Sequence, residues 1–422
     1  MDVNISRSPV VDVTFSAPPS KSYTHRALIA ASLAAGRSRI CRPLDAEDTR
    51  LTARALRSLG VPVDWGDNEI VIDGTGGALP GGDPVTLDLG NSGTSLRLLS
   101  SIALVSPRPV VLTGNRRMLE RPLGPLVEAL RALGGEVAYL GRSGYPPIRV
   151  EGRFSGGTAA VDASMSSQFI SSILMAGPSA DGDVELKVPE MPASRSYLDV
   201  TVDVMEAFGA TVGRDGYTRF RVRRGTRYTG REYTVEGDYS SASYFFAVAA
   251  ICGGTVRVNC LSPASVQGDR RFLDALEAMG CLVAASGDTV TVTREDELFG
   301  ITIDMSSAPD TVQTLAVVAA TAATPTTITG VGHLQYKESD RVRVTAENLQ
   351  RMGAGVSVGA DRITITPAPL HGVTVNPVDD HRTAMSFAVL GLGVGGMTIR
   401  DAECVGKSFP GFWDALRGAG LL

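Results

Sequence analysis

The sequence predicts an α/β protein built from six copies of one unit of about 70 residues. Two patterns predict this fold class. A polar cap followed by an apolar, Ala-rich helix recurs along the whole chain, and an amphipathic helix ending in an apolar residue and Gly recurs in phase with it. Two short alternating segments around a turn follow the second pattern, as expected of a strand–turn–strand hairpin. Helices and strands that alternate in this way are typical of the α/β class.

The six apolar helices begin at polar residues that lie 70–74 residues apart. Ser, Asn and Asp are residue types that cap helix N-termini. Each helix is apolar nearly all round, and such a helix must be buried. We therefore expect the units to pack these helices inward, with their sheets outside. The six starts are Ser20, Asn91, Ser164, Asp238, Asp310 and Asp380.

The amphipathic helices and their hairpins are recognised at five places, and ALRGAGLL at the end of the chain is a sixth copy cut short. Gly serves as the helix C-cap, and Asp-Asn or Asp-Gly supplies the turn. One alternative stays open, a single large irregular α/β domain. The five segments are SLGVPVDWGDNEIVI, ALGGEVAYL, AFGATVGRDGYTRFRV, AMGCLVAASGDTVTV and RMGAGVSVGADRITI.

Composition narrows the classes of function. A chain of 422 residues is long enough for two or three domains. A net charge of −5 disfavours a nucleic-acid or anionic-membrane partner. Five scattered cysteines and four dispersed histidines show no metal-ligand spacing, so we expect reduced thiols and no metal site. No signal peptide is evident and no apolar run reaches the ~18 residues of a membrane span, so we expect a cytoplasmic protein.

Cations stand near the starts of helices, where the helix dipole disfavours them by ~0.3–1 kcal/mol. Only four of the 40 basic residues are Lys, and three of these lie in such segments. A bound anion would reverse the penalty, because backbone N–H groups and side-chain cations would then share one target. The pattern predicts a site for more than one anionic group, phosphate together with carboxylate. The cations are Lys21, Arg26, Arg97, Arg116, Arg117, Arg121, Lys337, Arg341, Arg382 and Lys407.

Two carboxylates accompany these cations. Asp310 is expected at the cap of the fifth apolar helix, and Glu338 adjoins Lys337. Each could be only a salt-bridge partner, or it could act as an acid or base beside a bound anion.

Eight motifs between Pro19 and Phe412 resemble, in order, those of the 5-enolpyruvylshikimate-3-phosphate synthase family. The resemblance implies two domains, each an inside-out α/β barrel of three βαβαββ-type units around buried helices. The N-terminal domain, on the shikimate 3-phosphate side, would span residues 19–236. Residues 1–18 and 237–422 would form the other domain, with two crossover segments and an active-site cleft between them. The motifs are PSKSxxxRA, GNSGTSxR, RxxLERPLGPL, SSQF, EGDYSSASYF, KESDR, DHRxAM and KSFP.

The resemblance implies transfer of the enolpyruvyl group of phosphoenolpyruvate to the 5-hydroxyl of shikimate 3-phosphate, without cofactor or metal. The residues implied for shikimate 3-phosphate are Ser22, Arg26, Ser166, Ser167, Gln168, Ser194, Tyr197, Asp310 and Lys337. Those implied for phosphoenolpyruvate are Lys21, Gly93, Arg121, Gln168, Arg341, Arg382 and Lys407, with Asn91 and Thr94 in the same loop.

Four of these side chains are candidates for catalysis. Asp310 would take the hydroxyl proton and Glu338 would deliver a proton to C3 of phosphoenolpyruvate. Lys21 and Lys407 would stabilise the developing charge and the leaving phosphate. Because Gly93 leaves the phosphate subsite uncrowded, we expect inhibition by glyphosate. We also expect a monomer.

The chain departs from the family pattern at His333, a position that is often Asn, and at Leu98, where some members carry Pro. Two alternatives remain. The sister enzyme UDP-N-acetylglucosamine enolpyruvyl transferase usually carries a Cys on a loop that here reads NRRMLERP. A non-catalytic sugar-phosphate-binding protein of the same fold would have no need of Asp310 and Glu338.

Overall fold

The computed structural model describes all 422 residues, which divide into two compact units. One unit comprises Lys21–Val235, and the other comprises Met1–Ser20 together with Glu236–Leu422. Each unit has a hydrophobic core of its own.

Six of the twelve α-helices, numbered α1–α12 in chain order, are apolar and buried along nearly their whole length. In the fourth of these every residue except Cys252 is buried. The prediction that these helices lie inside the protein is confirmed. They are α1 Lys21–Leu33, α3 Gly93–Ile102, α5 Gln168–Ala176, α7 Tyr239–Cys252, α9 Val312–Ala319 and α11 His381–Val394.

The other six helices are amphipathic, and each of the first five is followed by an antiparallel hairpin, as predicted. The helix that ends at Met279 shows the expected C-cap, since Gly280 adopts a left-handed conformation with φ of 113°. The amphipathic helices are α2 Glu47–Ser58, α4 Gly124–Ala132, α6 Ser196–Ala207, α8 Arg271–Met279, α10 Arg341–Arg351 and α12 Phe412–Gly418.

The unit Lys21–Val235 holds three four-stranded sheets with one topology: a parallel pair of strands, extended by an antiparallel hairpin. The strand orders are β14-β3-β5-β4, β6-β7-β9-β8 and β10-β11-β13-β12. The strands are β3 Ala35–Cys41, β4 Val63–Trp65, β5 Glu69–Thr75, β6 Val85–Asp88, β7 Val110–Thr113, β8 Gly135–Tyr139, β9 Ile148–Gly152, β10 Gly157–Ala160, β11 Val184–Lys187, β12 Gly213–Asp215, β13 Arg219–Val222 and β14 Glu232–Thr234.

The second unit repeats this topology in the sheets β2-β15-β17-β16 and β18-β19-β21-β20. Its third sheet, β22-β23-β1, has three strands and lacks the two-stranded hairpin of the other sheets. The N-terminal strand β1 pairs antiparallel with β23 in its place. The strands are β1 Val3–Ile5, β2 Val11–Ser16, β15 Gly254–Asn259, β16 Leu282–Ser286, β17 Thr289–Arg294, β18 Thr302–Asp304, β19 Thr326–Thr329, β20 Gly355–Val358, β21 Arg362–Thr366, β22 Thr374–Val375 and β23 Met397–Ile399.

Short 3₁₀-helices complete the secondary structure. Their bounds are Ala103–Val105, Met118–Glu120, Gly177–Ser179, Gly268–Arg270, Pro309–Thr311, Gly332–Tyr336 and Ala402–Lys407. No helix combines the length and the apolar character that crossing a membrane requires.

The predicted helix caps are partly right. The side chains of Asp238 and Asp380 cap α7 and α11. The prediction for Asp310 is wrong, because a 3₁₀ turn precedes α9, Thr311 occupies its N-cap position and no side chain caps it. At α3 the capping oxygen belongs to Ser92, one residue after the predicted start. The third apolar helix, α5, begins at Gln168, four residues after its predicted start at Ser164.

Candidate active site

Arg341, the first residue of α10, is the centre of a buried ion-pair cluster. Its side chain is 2% exposed. Its guanidinium donates from Nη1 to Asp310 Oδ1 at 2.8 Å, from Nη2 to Glu338 Oε2 at 2.8 Å, and from Nε to Asp380 Oδ2 at 2.9 Å. Burial alone would lower the pKa of Arg341, but the three carboxylates outweigh it and hold the pKa above its ordinary value. Arg341 is therefore a fixed cation.

Asp310 lies between two guanidinium groups. Its Oδ1 accepts from Arg341, and its Oδ2 accepts from Arg382 Nη2 at 2.7 Å. Arg382 also donates to the carbonyl oxygen of Asp310 at 3.1 Å and to the hydroxyls of Ser240 and Tyr244. Because each carboxylate oxygen has a further lone pair, Asp310 can still accept a hydrogen bond from a hydroxyl of a substrate while both arginines hold it.

Glu338 joins Arg341 to Lys407. Its Oε2 accepts from Arg341, and its Oε1 lies 3.8 Å from Lys407 Nζ. Lys407 ends the 3₁₀-helix Ala402–Lys407 and is 5% exposed. A buried ammonium needs a charged partner, and Glu338 supplies one. The structure thus brings five predicted site residues into one set of contacts: Asp310, Glu338, Arg341, Arg382 and Lys407.

The 3₁₀-helix Gly332–Tyr336 places His333 one turn before Lys337. Burial lowers the pKa of His333 to about 3, and the Lys337 charge acts in the same direction. The imidazole is therefore neutral near pH 7, with one donor and one acceptor.

Lys21, the first residue of α1, pairs with a carboxylate from α2. Its Nζ lies 3.2 Å from Asp48 Oδ2, with side-chain exposures of 13% and 3%. Sequence reasoning missed Asp48. Acidic residues are common in the first turn of a helix. The sequence around Asp48 therefore does not indicate that it pairs with Lys21, 27 residues earlier.

Arg26 is a fully buried cation that joins α1 to α5 and α6. Burial lowers the pKa of Arg26 to about 10, so the group is charged near pH 7. Its guanidinium donates to Thr201 Oγ1, Ser171 Oγ and the carbonyl oxygens of Ser22 and Tyr197. Four of its five N–H groups bond to the protein in this way, which leaves one for a ligand.

The N-terminus of α3 lies against Arg121. The Arg121 side chain is buried and its Nη1 donates to the carbonyl oxygen of Asn91 at 3.4 Å. A β-carbon on Gly93 would lie 2.5 Å from the guanidinium carbon of Arg121. The absence of a side chain at Gly93 therefore allows the guanidinium to reach the start of α3.

Gln168 at the start of α5 is fixed by two residues of α3. Its Oε1 accepts from Arg97 Nη1 at 2.9 Å, and its Nε2 donates to Thr94 Oγ1 at 3.0 Å. Because an N–H group holds the oxygen and a hydroxyl holds the nitrogen, the amide has one orientation. Arg97 was noticed in the sequence only as a misplaced cation, and the structure makes it the residue that orients Gln168.

Ser166, Ser167, Ser194 and Tyr197 come together between α5 and α6. Ser167 Oγ donates to the carbonyl oxygen of Ser194 at 2.9 Å, which also accepts from the Tyr197 N–H at 3.1 Å. Ser166 Oγ accepts from the backbone N–H of Gln168 at 3.3 Å. Ser194 has a φ of 58°, a conformation that costs a non-Gly residue ~1–3 kcal/mol. The bonds to its carbonyl oxygen hold this serine in a strained backbone conformation.

Asp380 is the other carboxylate that sequence reasoning did not assign to the site. It is fully buried, and its Oδ2 accepts from Arg341 and from Ser339 Oγ while its Oδ1 caps α11. Only the cap was visible in the sequence. No group of three or more His, Cys, Asp or Glu side chains in the structure could hold a metal ion, and all five cysteines are free.

Comparisons with known proteins give consistent results. The family model for EPSP synthase (3-phosphoshikimate 1-carboxyvinyltransferase) matches residues 8–416. A 3-phosphoshikimate 1-carboxyvinyltransferase of Methanoculleus marisnigri is 69% identical over the full length of both chains. One from Methanoregula boonei is 58% identical over 99% of each. The solved structure of EPSP synthase from Acinetobacter baumannii superposes with a TM-score of 0.81 at 29% identity, covering 100% of this chain and 98% of that one.

Proposed function

This chain belongs to the 5-enolpyruvylshikimate-3-phosphate (EPSP) synthase family, and we propose that it transfers the enolpyruvyl group of phosphoenolpyruvate to the 5-hydroxyl of shikimate 3-phosphate. Phosphate is released, and the reaction serves aromatic amino acid biosynthesis. One observation supports the chemistry above all: the two candidate acid–base groups, Asp310 and Glu338, are both held by the single buried guanidinium of Arg341. An anion-binding protein without catalysis would need the cation but not the two carboxylates.

Shikimate 3-phosphate is assigned to the serines and arginine of the unit Lys21–Val235, together with Asp310 and Lys337. Ser167 Oγ donates to the backbone carbonyl of Ser194, and Ser166 precedes Ser167 in sequence, so these three serines are candidates to recognise one phosphate group. The remaining N–H of Arg26 and the neighbouring Ser22 and Tyr197 would complete this subsite. The full set is Ser22, Arg26, Ser166, Ser167, Gln168, Ser194, Tyr197, Asp310 and Lys337.

Phosphoenolpyruvate carries a phosphate and a carboxylate, so it needs several cations. Arg121 lies at the N-terminus of α3, where backbone N–H groups also favour an anion. Arg341 and Arg382 form a rigid pair bridged by Asp310. The full set is Lys21, Gly93, Arg121, Gln168, Arg341, Arg382 and Lys407, drawn from both units of the chain.

The reaction is an addition followed by an elimination. Glu338 takes up a proton when phosphoenolpyruvate binds, because the anionic groups of the substrate then pair with Arg341 and Lys407. The 5-hydroxyl oxygen bonds to C2 of phosphoenolpyruvate and loses its proton to Asp310, while C3 gains the proton of Glu338. The tetrahedral ketal then loses the C2–O bond to phosphate, which leaves with the proton held by Asp310, and a proton returns from C3 to Glu338 to restore the double bond. Lys21 and Lys407 neutralise the departing phosphate. A positioned acid or base contributes ~10²–10⁴-fold to the rate.

The residues on the two units of the chain would act on one pair of substrates, as the family resemblance implies. We further propose that the enzyme works as a cytoplasmic monomer and that glyphosate competes with phosphoenolpyruvate. No cofactor or metal takes part in the proposed steps.

Phosphate release tests the reaction. We expect turnover only when shikimate 3-phosphate and phosphoenolpyruvate are both present, and unchanged turnover after treatment with a chelator. Asp310→Asn should lower kcat ~10²–10⁴-fold, while Asp274→Asn on the exposed face of α8 should not change it. Absence of phosphate release by the wild-type protein would exclude the proposed reaction. Release with UDP-N-acetylglucosamine in place of shikimate 3-phosphate would favour the sister enzyme instead.

A further inference from the structure

A chain of buried hydrogen bonds joins the helices α1, α2 and α3. It begins at His25, one turn after Lys21 in α1. His25 Nδ1 lies 2.8 Å from Thr52 Oγ1, and Thr52 Oγ1 lies 2.8 Å from Ser95 Oγ. Ser95 Oγ then donates to the carbonyl oxygen of Asp48 at 3.2 Å. The side chains of His25, Thr52 and Ser95 are fully buried.

Counting protons gives this chain a direction. The Asp48 carbonyl can only accept, so its hydrogen bond takes the single hydroxyl proton of Ser95, and Ser92 Oγ at 2.7 Å is then a donor to Ser95. Thr52 must then donate to Ser95 Oγ, and the Thr52 oxygen must accept from His25 Nδ1. His25 is therefore the tautomer with a proton on Nδ1 and a lone pair on Nε2, an atom with no hydrogen-bond partner.

His25 is also neutral. Burial lowers its pKa to about 3; the Asp48 charge acts in the opposite direction, while Lys21 and Arg26 add to the effect of burial. No second proton is bound near pH 7, so the direction of the chain does not change in the physiological range. A neutral imidazole with one fixed N–H is suited to hold a position rather than to transfer a proton.

The series of hydrogen bonds ends on residues of the candidate site. Asp48, which receives the last hydrogen bond on its carbonyl oxygen, bonds Lys21 through its side chain. Ser95 lies two residues after Gly93, and its backbone N–H and hydroxyl both contact Ser92, the cap of α3. Ser95 thus connects the partner of Lys21 to the helix end that carries Gly93, and Thr52 links Ser95 in turn to His25.

We propose that His25 is a positioning residue that, through Thr52 and Ser95, fixes the Lys21–Asp48 pair relative to the N-terminus of α3. This role rests on the proposed function, because its benefit is a correctly placed Lys21 ammonium for phosphoenolpyruvate. It assigns a task to a buried histidine and a threonine that neither the motifs nor the chemistry of the reaction require.

Two substitutions of Thr52 separate hydrogen bonding from packing. Thr52→Val keeps the shape and removes the hydroxyl, whereas Thr52→Ser keeps the hydroxyl and removes a methyl group. We expect Thr52→Val to lower kcat/KM for phosphoenolpyruvate roughly tenfold to hundredfold, because a small misplacement of a catalytic group has effects of this size. The KM for shikimate 3-phosphate should stay within about twofold, and Thr52→Ser should retain wild-type constants.

Substitutions at His25 supply the second test. Asn can place its amide N–H where Nδ1–H stands, so His25→Asn should restore much of the activity that His25→Leu loses. Ser101→Ala is the matched stability control, since it removes a buried hydroxyl bond to Ser172 at the other end of α3. Ser101→Ala should lower Tm about as much as Thr52→Val does, but it should leave kcat/KM for phosphoenolpyruvate unchanged.

The tautomer can be measured without any assay. Ring ¹⁵N spectra of the histidine-labelled protein, which has four histidines, should show one that is protonated on Nδ1 only and disappears in His25→Asn. Protonation of His25 on Nε2, or wild-type constants in Thr52→Val, would overturn the proposal. So would equal losses in Thr52→Val and Thr52→Ser. Absence of turnover by the wild-type protein would instead refute the proposed function and leave the spectroscopic result to decide the direction of the chain.

Discussion

The guanidinium of Arg121 occupies the space that a side chain at Gly93 would need. A β-carbon built on Gly93 lies 2.5 Å from Cζ and from both terminal nitrogens of Arg121, closer than real β-carbon contacts come. Gly93 is also the first residue of α3, so the guanidinium is held beside the free backbone N–H groups of that helix. A cation and a helix N-terminus at one place are suited to bind one anion.

The first prediction is that Gly93→Ala weakens binding of phosphoenolpyruvate and of glyphosate. The protein should fold, because the group displaced is the far end of a flexible side chain. Loss of a hydrogen bond to a charged group costs about 1.5–3 kcal/mol, so the KM for phosphoenolpyruvate should rise about tenfold or more. Steady-state kinetics with glyphosate as competitor measure both effects.

The control for this prediction is Gly81→Ala, where the nearest atom to an added β-carbon is Pro107 Cγ at 3.7 Å. This change should leave both constants as they are. Gly93→Ala with wild-type KM and full glyphosate inhibition would show that Arg121 does not bind the substrate.

The fold was predictable because patterns among neighbouring residues mark each repeat. Apolar helices with polar caps and Gly-terminated amphipathic helices depend on residues close in sequence, and both recur in every unit. The errors fall where local signals compete. Asp310 has the residue type of a cap, but its carboxylate bonds two arginines from later helices, Arg341 and Arg382.

The site was predictable for residues inside the recognised motifs and at positions, such as Ser194, Tyr197 and Asp310, that the family resemblance supplied. Asp48 and Thr52 lie in α2, a helix whose charge pattern is that of any amphipathic helix, and they acquire a role only through contacts with α1 and α3. Such contacts join residues tens of positions apart, so no local period or cap reveals them. The sequence shows Arg97 as a cation near a helix start and Gln168 as part of a motif, but it does not show that the two side chains bond to each other.

The second prediction concerns Lys21 and Lys407, each of which pairs with a carboxylate, Asp48 and Glu338 respectively. Both positions are largely buried and accommodate a compact ammonium. A guanidinium is larger and planar, so Lys→Arg at either position should displace the charge although the charge itself is unchanged. We expect kcat to fall about 100-fold, measured by phosphate release at saturating substrates.

Lys187 provides the control for that exchange. It is exposed in β11, and Lys187→Arg should have wild-type activity. Wild-type kcat in both Lys21→Arg and Lys407→Arg would exclude a role for these residues as compact donors.

The third prediction is that His25 makes the protein less stable as the pH falls. Burial holds the pKa of His25 at about 3, against an ordinary value of 6.5, so only the unfolded chain gains this proton between those values. The contribution of His25 to the free energy of unfolding is therefore constant above pH 6.5. Below that pH it declines, by about 1.4 kcal/mol per pH unit once His25 is protonated in the unfolded chain. His25→Asn cannot gain a proton. The unfolding free energy of wild type minus that of His25→Asn, from urea titrations, should therefore be constant between pH 8 and 7 and fall steadily between pH 6 and 4. A difference that does not change over the acidic range would show that His25 is not buried as the neutral form.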